Sequence, residues 1–511
     1  MHRSFRHAVL ASAMVAAAPL SALAQNMAID VVGGGIGQTM TLTVSGPPNA
    51  QYLTIMSLTT GPTALPAPHI ASLDVGFELL ELSVSIPGFL GVLPPGGSIA
   101  LPLPIPNVPG IDNLNLNFQS TRIDFGTTIA QKSNLWRVTF DLPGEWASTL
   151  NGLLAARAFP TATKLADGRV LVAGGGQGSL TGASGLATAE LYRPNLELFE
   201  PTGTMNSARA LHRATLLNDG RVFVSGGVDA LGNVLNTAEI YDPATGVFTA
   251  TPPMSSARVG HTATRLPDGR VFVAGGSSSL ADSTAFYSSA QSTTVIYNPA
   301  TNTWSNGPGL GEPKTFHDAV ALADGRVFLS GGITFINFIV IIPSISAKSA
   351  LYNPTNNTIV TNLTLPAARA AHSSILLNDG RVLVVGGAGG SILAPTVLSS
   401  CDLYTPSSNS FQSAGAMTTP LAITSLAKLP NGTILAAGGA QGSLTAPTPV
   451  ADALIYTPAV GGAGSWVATN PMSTTRSGAP AVLLNDLSVL VVGGGGGPSN
   501  TALQSAEVHQ P

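Results

Sequence analysis

The chain has 511 residues, of which 44% are hydrophobic and only 9% charged, with a formal net charge of -4. That length exceeds one compact domain and predicts two folded units. So little charge offers no basic face for a phosphate backbone, which leaves nucleic acid out as a partner, while 57 Gly and 38 Pro predict an all-β, turn-rich protein.

The first 24 residues read as an export signal. Arg3 and Arg6 make a basic start, an apolar stretch runs from Ala8 to Leu23, and Ala22-Leu23-Ala24 supplies the small residues a signal peptidase accepts. Cleavage is expected before Gln25, giving a secreted or envelope protein. Pro19 and the small-residue pattern weigh against the alternative, an uncleaved anchor. No other segment approaches the roughly 20 apolar residues that span a bilayer, so no membrane span is expected after cleavage. Cys401 is the only cysteine, so no intramolecular disulfide is expected despite export.

Residues 25–140 carry no repeat. Thr39-Met40-Thr41-Leu42-Thr43-Val44 alternates as a half-buried strand does, and Leu93-Pro94-Pro95-Gly96-Gly97 is turn chemistry. A small β-sandwich-like domain is predicted, with a loosely ordered stalk as the alternative.

From about residue 145 to the end the chain repeats itself. The string Leu217-Asn218-Asp219-Gly220-Arg221-Val222-Phe223-Val224-Ser225-Gly226-Gly227 has counterparts ending at Gly175, Gly276, Gly332, Gly387, Gly439 and Gly494, seven copies spaced 49 to 56 residues apart. In the second copy His212 to Leu217 predicts strand one, Asp219-Gly220 a hairpin turn, and Arg221 to Ser225 strand two. Ala238 to Tyr241 predicts strand three and Val247 to Thr249 strand four. Such a sheet cannot bury both faces alone, so the copies must stack around an axis. The last copy ends in its third strand, Ala506 to His509. Upstream of the first copy, Pro143-Gly144-Glu145-Trp146-Ala147 matches Thr245-Gly246-Val247-Phe248-Thr249. The strand near Trp146 is therefore predicted to complete the last blade. Asn431-Gly432-Thr433 in copy six and Asn485-Asp486-Leu487 in copy seven depart from Asp-Gly-Arg.

With its Asp-Gly-Arg-Val-x-Val-x-Gly-Gly strings, the region 145–511 resembles the Kelch-repeat β-propellers and, among them, the central propeller of galactose-oxidase-like proteins. The fold expected is an all-β, seven-bladed Kelch-type β-propeller preceded by the small β-sandwich-like domain. The resemblance also implies a copper-radical centre of two Tyr and two His, with a Cys cross-linked to one Tyr. The residues do not supply it. Tyr192, Tyr241, Tyr297, Tyr352, Tyr404 and Tyr456 share one strand-three register, which is a packing position, and only Tyr52 and Tyr287 remain. Cys401 stands where blade two has Ala238, a small buried position.

A second pattern is a basic residue followed three positions on by His: Arg209 and His212, Arg258 and His261, Lys314 and His317, Arg369 and His372. Facing imidazoles can take a metal, but ligands from separate blades lie too far apart to converge. Hydrogen bonding of these side chains between blades is the favoured reading. Pro160, Ile423 and Ala479 are read at the His position of blades one, six and seven. The loops after strand two share this face and vary most. Blade three offers Ser277 to Ser292 with Phe286 and Tyr287, and blade four the apolar run Thr334 to Ile342 with Phe335 and Phe338. Such a run marks an interaction surface, with docking on the N-terminal domain as the alternative.

The expectation is a secreted, non-catalytic binding or adhesion protein without a cofactor. Its partner would be an extracellular or envelope protein or a glycan, met through Tyr287, Phe335, Phe338, Arg209, Arg258 and Arg369. A carbohydrate-acting oxidase or hydrolase, and a cell-surface structural protein, are the alternatives.

Overall fold

The computed structural model describes residues 27–33, 39–58, 60–63, 73–75, 83, 86–105, 114–124, 128–140, 144–177, 184–337, 341–392, 394–442 and 446–511. The expected export signal, residues 1–24, and Phe338 lie outside the described residues. The molecule is all-β apart from short helical turns.

In the N-terminal region a three-stranded sheet runs in the order Ala28–Val32, Thr39–Ser45, Ser98–Pro104. A second antiparallel sheet orders Trp136–Phe140, Leu114–Asp124, Gln51–Ser57 and Leu90–Val92, with Thr128–Lys132 also paired to Leu114–Asp124. The alternation of Thr39–Ser45 sends Met40, Leu42 and Val44 inward, where they meet Tyr52, Phe118 and Trp136 of the second sheet in one core. Two sheets closed on one core make a sandwich arrangement.

Among the described residues, the remainder forms seven four-stranded antiparallel sheets. Their innermost strands are Thr161–Lys164, Arg213–Leu216, Thr262–Arg265, Asp318–Ala321, Ser373–Leu376, Ser425–Lys428 and Ala481–Leu483. Each touches the next in chain order, and the last touches the first, so the sheets close into a ring. Every second strand, such as Val222–Ser225 and Val382–Val385, is buried along its whole length. This is why these strands read as continuous apolar runs rather than alternating ones. Neighbouring blades bury their faces against each other: Leu171 and Leu191 of blade one pack with Val222 and Tyr241 of blade two.

The recurrent tyrosines hold this packing in register. Each lies opposite the first residue of strand two, as in the pairs Tyr241 with Val222 and Tyr404 with Val382. Three of their rings stack on a Phe of the preceding blade: Phe223 on Tyr297 at 4.6 Å, Phe272 on Tyr352 at 4.0 Å and Phe328 on Tyr404 at 4.2 Å. The last blade takes its fourth strand from Trp146–Ser148, which pairs with Ala506–His509.

The N-terminal domain meets the ring at turns on one face. Gly33 N donates to Asp486 O at 3.1 Å, Arg137 N to Asn195 O at 2.8 Å, and Asn195 Nδ2 to Leu135 O at 2.8 Å. Asp486 sits in the strand one–two turn of blade seven and Asn195 in the strand three–four turn of blade one. Because strands alternate in direction, both turns lie opposite the loops that follow strand two. These contacts give no support to docking of the 334–342 run on the N-terminal domain.

Candidate functional site

The loops after strand two stand around the axial opening as a wall. Hairpins form at Ile333–Asn337 with Ile341–Ile345, Ala388–Ser391 with Ala394–Val397, Ala440–Gly442 with Pro447–Pro449, and Gly495–Gly496 with Thr501–Ala502. In blade three the loop folds into a short helix, Ser283–Ser288, whose Ala285 N–H is capped by Asp282 at 2.8 Å. The wall and the inner ends of the blades enclose a funnel of about 260 Å³.

In five of the seven blades three successive residues line that funnel in tiers, while blade three contributes Gly260 and blade seven Gly478 and Pro480. The uppermost tier is Phe159, Leu211, Gly260, Phe316, Ala371, Ile423 and Gly478. All seven hold a left-handed backbone, with φ of 50°, 54°, 65°, 51°, 51°, 54° and 59° in that order. Hydrogen bonds between blades link five of them in a belt. Phe316 N donates to Gly260 O, Ala371 N to Phe316 O, Ile423 N to Ala371 O and Gly478 N to Ile423 O, at 2.9 to 3.3 Å. Glycine suits this conformation, whereas a β-branched residue such as Ile423 is an outlier there.

The second tier holds the histidines. His212 Nε2 shares a hydrogen bond with Thr161 Oγ1 at 2.9 Å and His261 with Ser225 Oγ at 3.1 Å. His317 likewise meets Thr262 Oγ1 at 3.0 Å and His372 meets Ser330 Oγ at 2.8 Å. Each imidazole thus ties its blade to the one before. Each also lies over the first glycine of that blade's Gly-Gly pair: a Cβ added at Gly226 would come within 2.7 Å of His261 Cε1 and 2.4 Å of Arg258 O. Burial, reinforced by the neighbouring cations, brings His212 and His317 down to about 3 and holds His261 and His372 well below the usual histidine range. All four are neutral at physiological pH. In blade six this position belongs to Thr424 rather than Ile423, because the backbone of Thr424 faces Gly439 as that of His212 faces Gly227. Ile423 belongs to the mouth belt.

The third tier is polar: Thr161, Arg213, Asp318, Ser373 and Ser425 line the floor. Each reaches the following blade. Arg213 Nε donates to His261 O at 2.9 Å, Ser374 N donates to Asp318 Oδ2 at 2.6 Å, and Ser373 Oγ donates to Thr424 O at 2.5 Å.

Arg209, Arg258 and Arg369 are not binding residues of the loop face. All three are 0% exposed. Arg209 donates to Gly226 O and Thr237 O at 2.9 Å each and pairs with Glu239 Oε1 at 2.9 Å. Arg369 makes the same contacts with Gly386 O, Ser400 O and Asp402 Oδ2. Arg157–Glu190 and Arg476–Glu507 repeat the pair in blades one and seven. Blade three has Val295 at the acid's register, so Arg258 relies on Gly275 O, Thr293 O and Thr293 Oγ1 alone. Burial without a carboxylate lowers it to about 10. These guanidiniums clamp the strand two–three connection, and their distance from solvent removes them from any partner's reach.

Tyr287 does line the funnel, half-buried beside Phe286, whose ring lies 5.5 Å from that of Phe316. Phe335 is half-buried in the blade-four hairpin, where Ile333 and Ile345 are buried and Ile342 is 49% exposed. The mouth belt and the Arg213–Asp318 floor were not singled out from sequence. The available signal was positional: they flank the histidine on either side.

The copper-radical centre does not fit these residues. Among the described residues no three or more His, Cys, Asp or Glu converge to hold a metal. Six tyrosines are committed to the core of the blades and Tyr52 to the N-terminal core, leaving Tyr287 as the tyrosine of the funnel. Cys401 is buried among Leu383, Leu403 and Leu421, and its thiol is pushed up to about 12.

Residues 209–255 and 258–311 each match the family model described as the Kelch motif. No curated protein matches the chain. Among solved structures, a fungal alcohol oxidase described as having catalytic diversity among the AA5 family, in complex with copper, aligns with a TM-score of 0.58 and 19% identity over 72% of this chain and 76% of its own. A protein titled YjhT aligns with a TM-score of 0.46 and 16% identity over 62% of this chain and 99% of its own. At 19% identity the likeness to the oxidase is one of fold alone, and the chain is a β-propeller that carries Kelch motifs.

Proposed function

We propose that the chain is an exported, non-catalytic binding protein that presents the loop face of its propeller, centred on the axial funnel, to an extracellular or envelope protein or glycan. The observation that carries this reading is the mouth belt. A left-handed backbone costs a residue other than glycine on the order of 1–3 kcal/mol, and Gly260 and Gly478 satisfy the same geometry without that cost. Five blades nevertheless keep side chains there, four of them large and apolar. Such strain persists where a ligand is met, and an apolar concavity with a few convergent polar groups is the usual form of a binding site. The basic, then apolar, N-terminus supports export. The absence of a recognisable reacting constellation among the described residues favours binding over chemistry, since this architecture hosts unrelated functions.

The test is capture of glycans and envelope proteins by the purified mature chain, repeated with Tyr287→Ala and Phe335→Ala. Capture that weakens in the variants supports the loop face, and capture that is unchanged sinks it.

A further inference from the structure

Below the apolar belt, the floor of the funnel carries two opposite charges that are not paired with each other. Arg213 stands at the head of the blade-two inner strand and Asp318 at the head of the blade-four inner strand, with blade three between them. The seryl and threonyl hydroxyls of the same tier are spent on neighbouring blades: Thr161 on His212, Ser373 on Thr424 O, Ser425 on Ala479 O. Arg213 spends only Nε, on His261 O. Its two terminal nitrogens make no hydrogen bond among the described residues, and the residue lines the funnel. Asp318 accepts from Ala319 N at 2.9 Å and Ser374 N at 2.6 Å, one bond to each oxygen, and keeps acceptor capacity on the funnel side.

Arg213 is exposed to the channel and Asp318 is half-buried, and each favours the other's charged form. The surrounding imidazoles are neutral, so no other charge faces the pair from the histidine tier. An anion entering this site meets Asp318 and a cation meets Arg213. An uncharged ligand compensates neither charge. A ligand bearing one of each on a single small frame satisfies both and leaves the floor neutral.

We infer that the axial funnel binds a free α-amino acid with an apolar side chain, its carboxylate on Arg213, its ammonium on Asp318 and its side chain against Leu211, Phe316 and Ile423. Guanidinium and carboxylate are matched for two-point hydrogen bonding. The volume of about 260 Å³ falls below that of pockets for drug-sized ligands and suits one residue rather than a longer chain. This inference rests on the loop-face binding reading and specifies what the deepest part of that face accepts.

Titration calorimetry of the mature chain with L-leucine and L-phenylalanine tests it. N-acetyl-L-leucine, L-leucinamide, leucyl-leucine and galactose serve as comparison ligands. Saturable binding of the free amino acids is expected, at least tenfold weaker for the acetylated and amidated forms and for Arg213→Gln and Asp318→Asn, with circular dichroism confirming that both variants fold. Equal binding of N-acetyl-L-leucine or of L-leucinamide overturns the zwitterion assignment, as does undiminished binding to Arg213→Gln. Binding of galactose but of no amino acid overturns it while leaving the loop-face reading intact. Failure of every small ligand, with partner capture still dependent on Tyr287, overturns this inference alone.

Discussion

Trp146 lies opposite His509, their ring centroids 4.8 Å apart, and its indole Nε1 donates to Asn470 O at 2.8 Å. This repeats a pairing found along the ring, where Tyr241 faces Phe248 at 4.8 Å, Tyr297 faces Trp304 at 5.0 Å and Tyr456 faces Trp466 at 5.0 Å. His509 holds the tyrosine register of blade seven, opposite Val489. One residue from just after the N-terminal domain therefore completes the last blade and covers its strand edge.

Trp146→Ala is accordingly expected to destabilise the propeller by about 2–3 kcal/mol, somewhat less than full truncation of a buried Trp because the ring is half-exposed. Urea unfolding with circular dichroism measures it. Trp146→Phe should recover most of the loss, and a midpoint unchanged in Trp146→Ala would show that the strand does not close the ring.

Glu239→Ala strands Arg209 as a buried, unpaired guanidinium and also removes the acceptor of Asn206 N and Ser207 N. Breaking one partner of such a pair costs about 3–5 kcal/mol. The expected outcome is a large fall in the thermal midpoint. A near-neutral result would mean that the carbonyls of Gly226 and Thr237 suffice, as the corresponding groups do for Arg258.

The buried histidines make stability fall on acidification. The unfolded chain takes up protons near pH 6.5, while His212 and His317 stay neutral down to about 3 and His261 and His372 also remain well below 6.5. With folded values below unfolded ones, their contribution is whole above pH 6.5 and is lost progressively as pH drops from 6.5 toward 3. Each of His212 and His317 accounts for about 2 kcal/mol between pH 7 and pH 5. Denaturant midpoints at those two pH values should differ strongly in the parent and less in His317→Asn.

Ile423→Gly and Leu211→Gly relieve left-handed strain at half-buried positions of the belt. Relief of about 1 kcal/mol or more per site opposes the lost side-chain contacts and the added freedom of the unfolded chain. The thermal midpoint is expected to hold or rise for each. A drop of several degrees would mean that these side chains serve the core, not a partner.

The architecture was legible because each repeat carries backbone chemistry that tolerates few substitutes. The first glycine of each pair sits with φ near 55–62° under the next blade's inner residues, so the spacing of Gly-Gly marks the blades. The site was less legible. Arg209 precedes its acid by 30 residues, and nothing local in the loop announces that Glu239 will close over it. Ile423 was misassigned because blade six has Leu421 where the others have Arg or Lys, which removed the anchor for the count. Phe159, Leu211 and Phe316 carry no letter-level sign of a left-handed backbone, which residues other than glycine seldom adopt. Arg213 and Asp318 stand out only once the ring places them on one floor.

The most direct measurement is the affinity of a captured partner for the double variant Leu211→Gly/Ile423→Gly, determined by surface plasmon resonance beside the parent chain. Glycine suits the backbone at both positions, so the fold is retained while the apolar mouth is removed. The account predicts at least a tenfold loss of affinity with an undiminished thermal midpoint. Parent-like affinity in a folded double variant would contradict it.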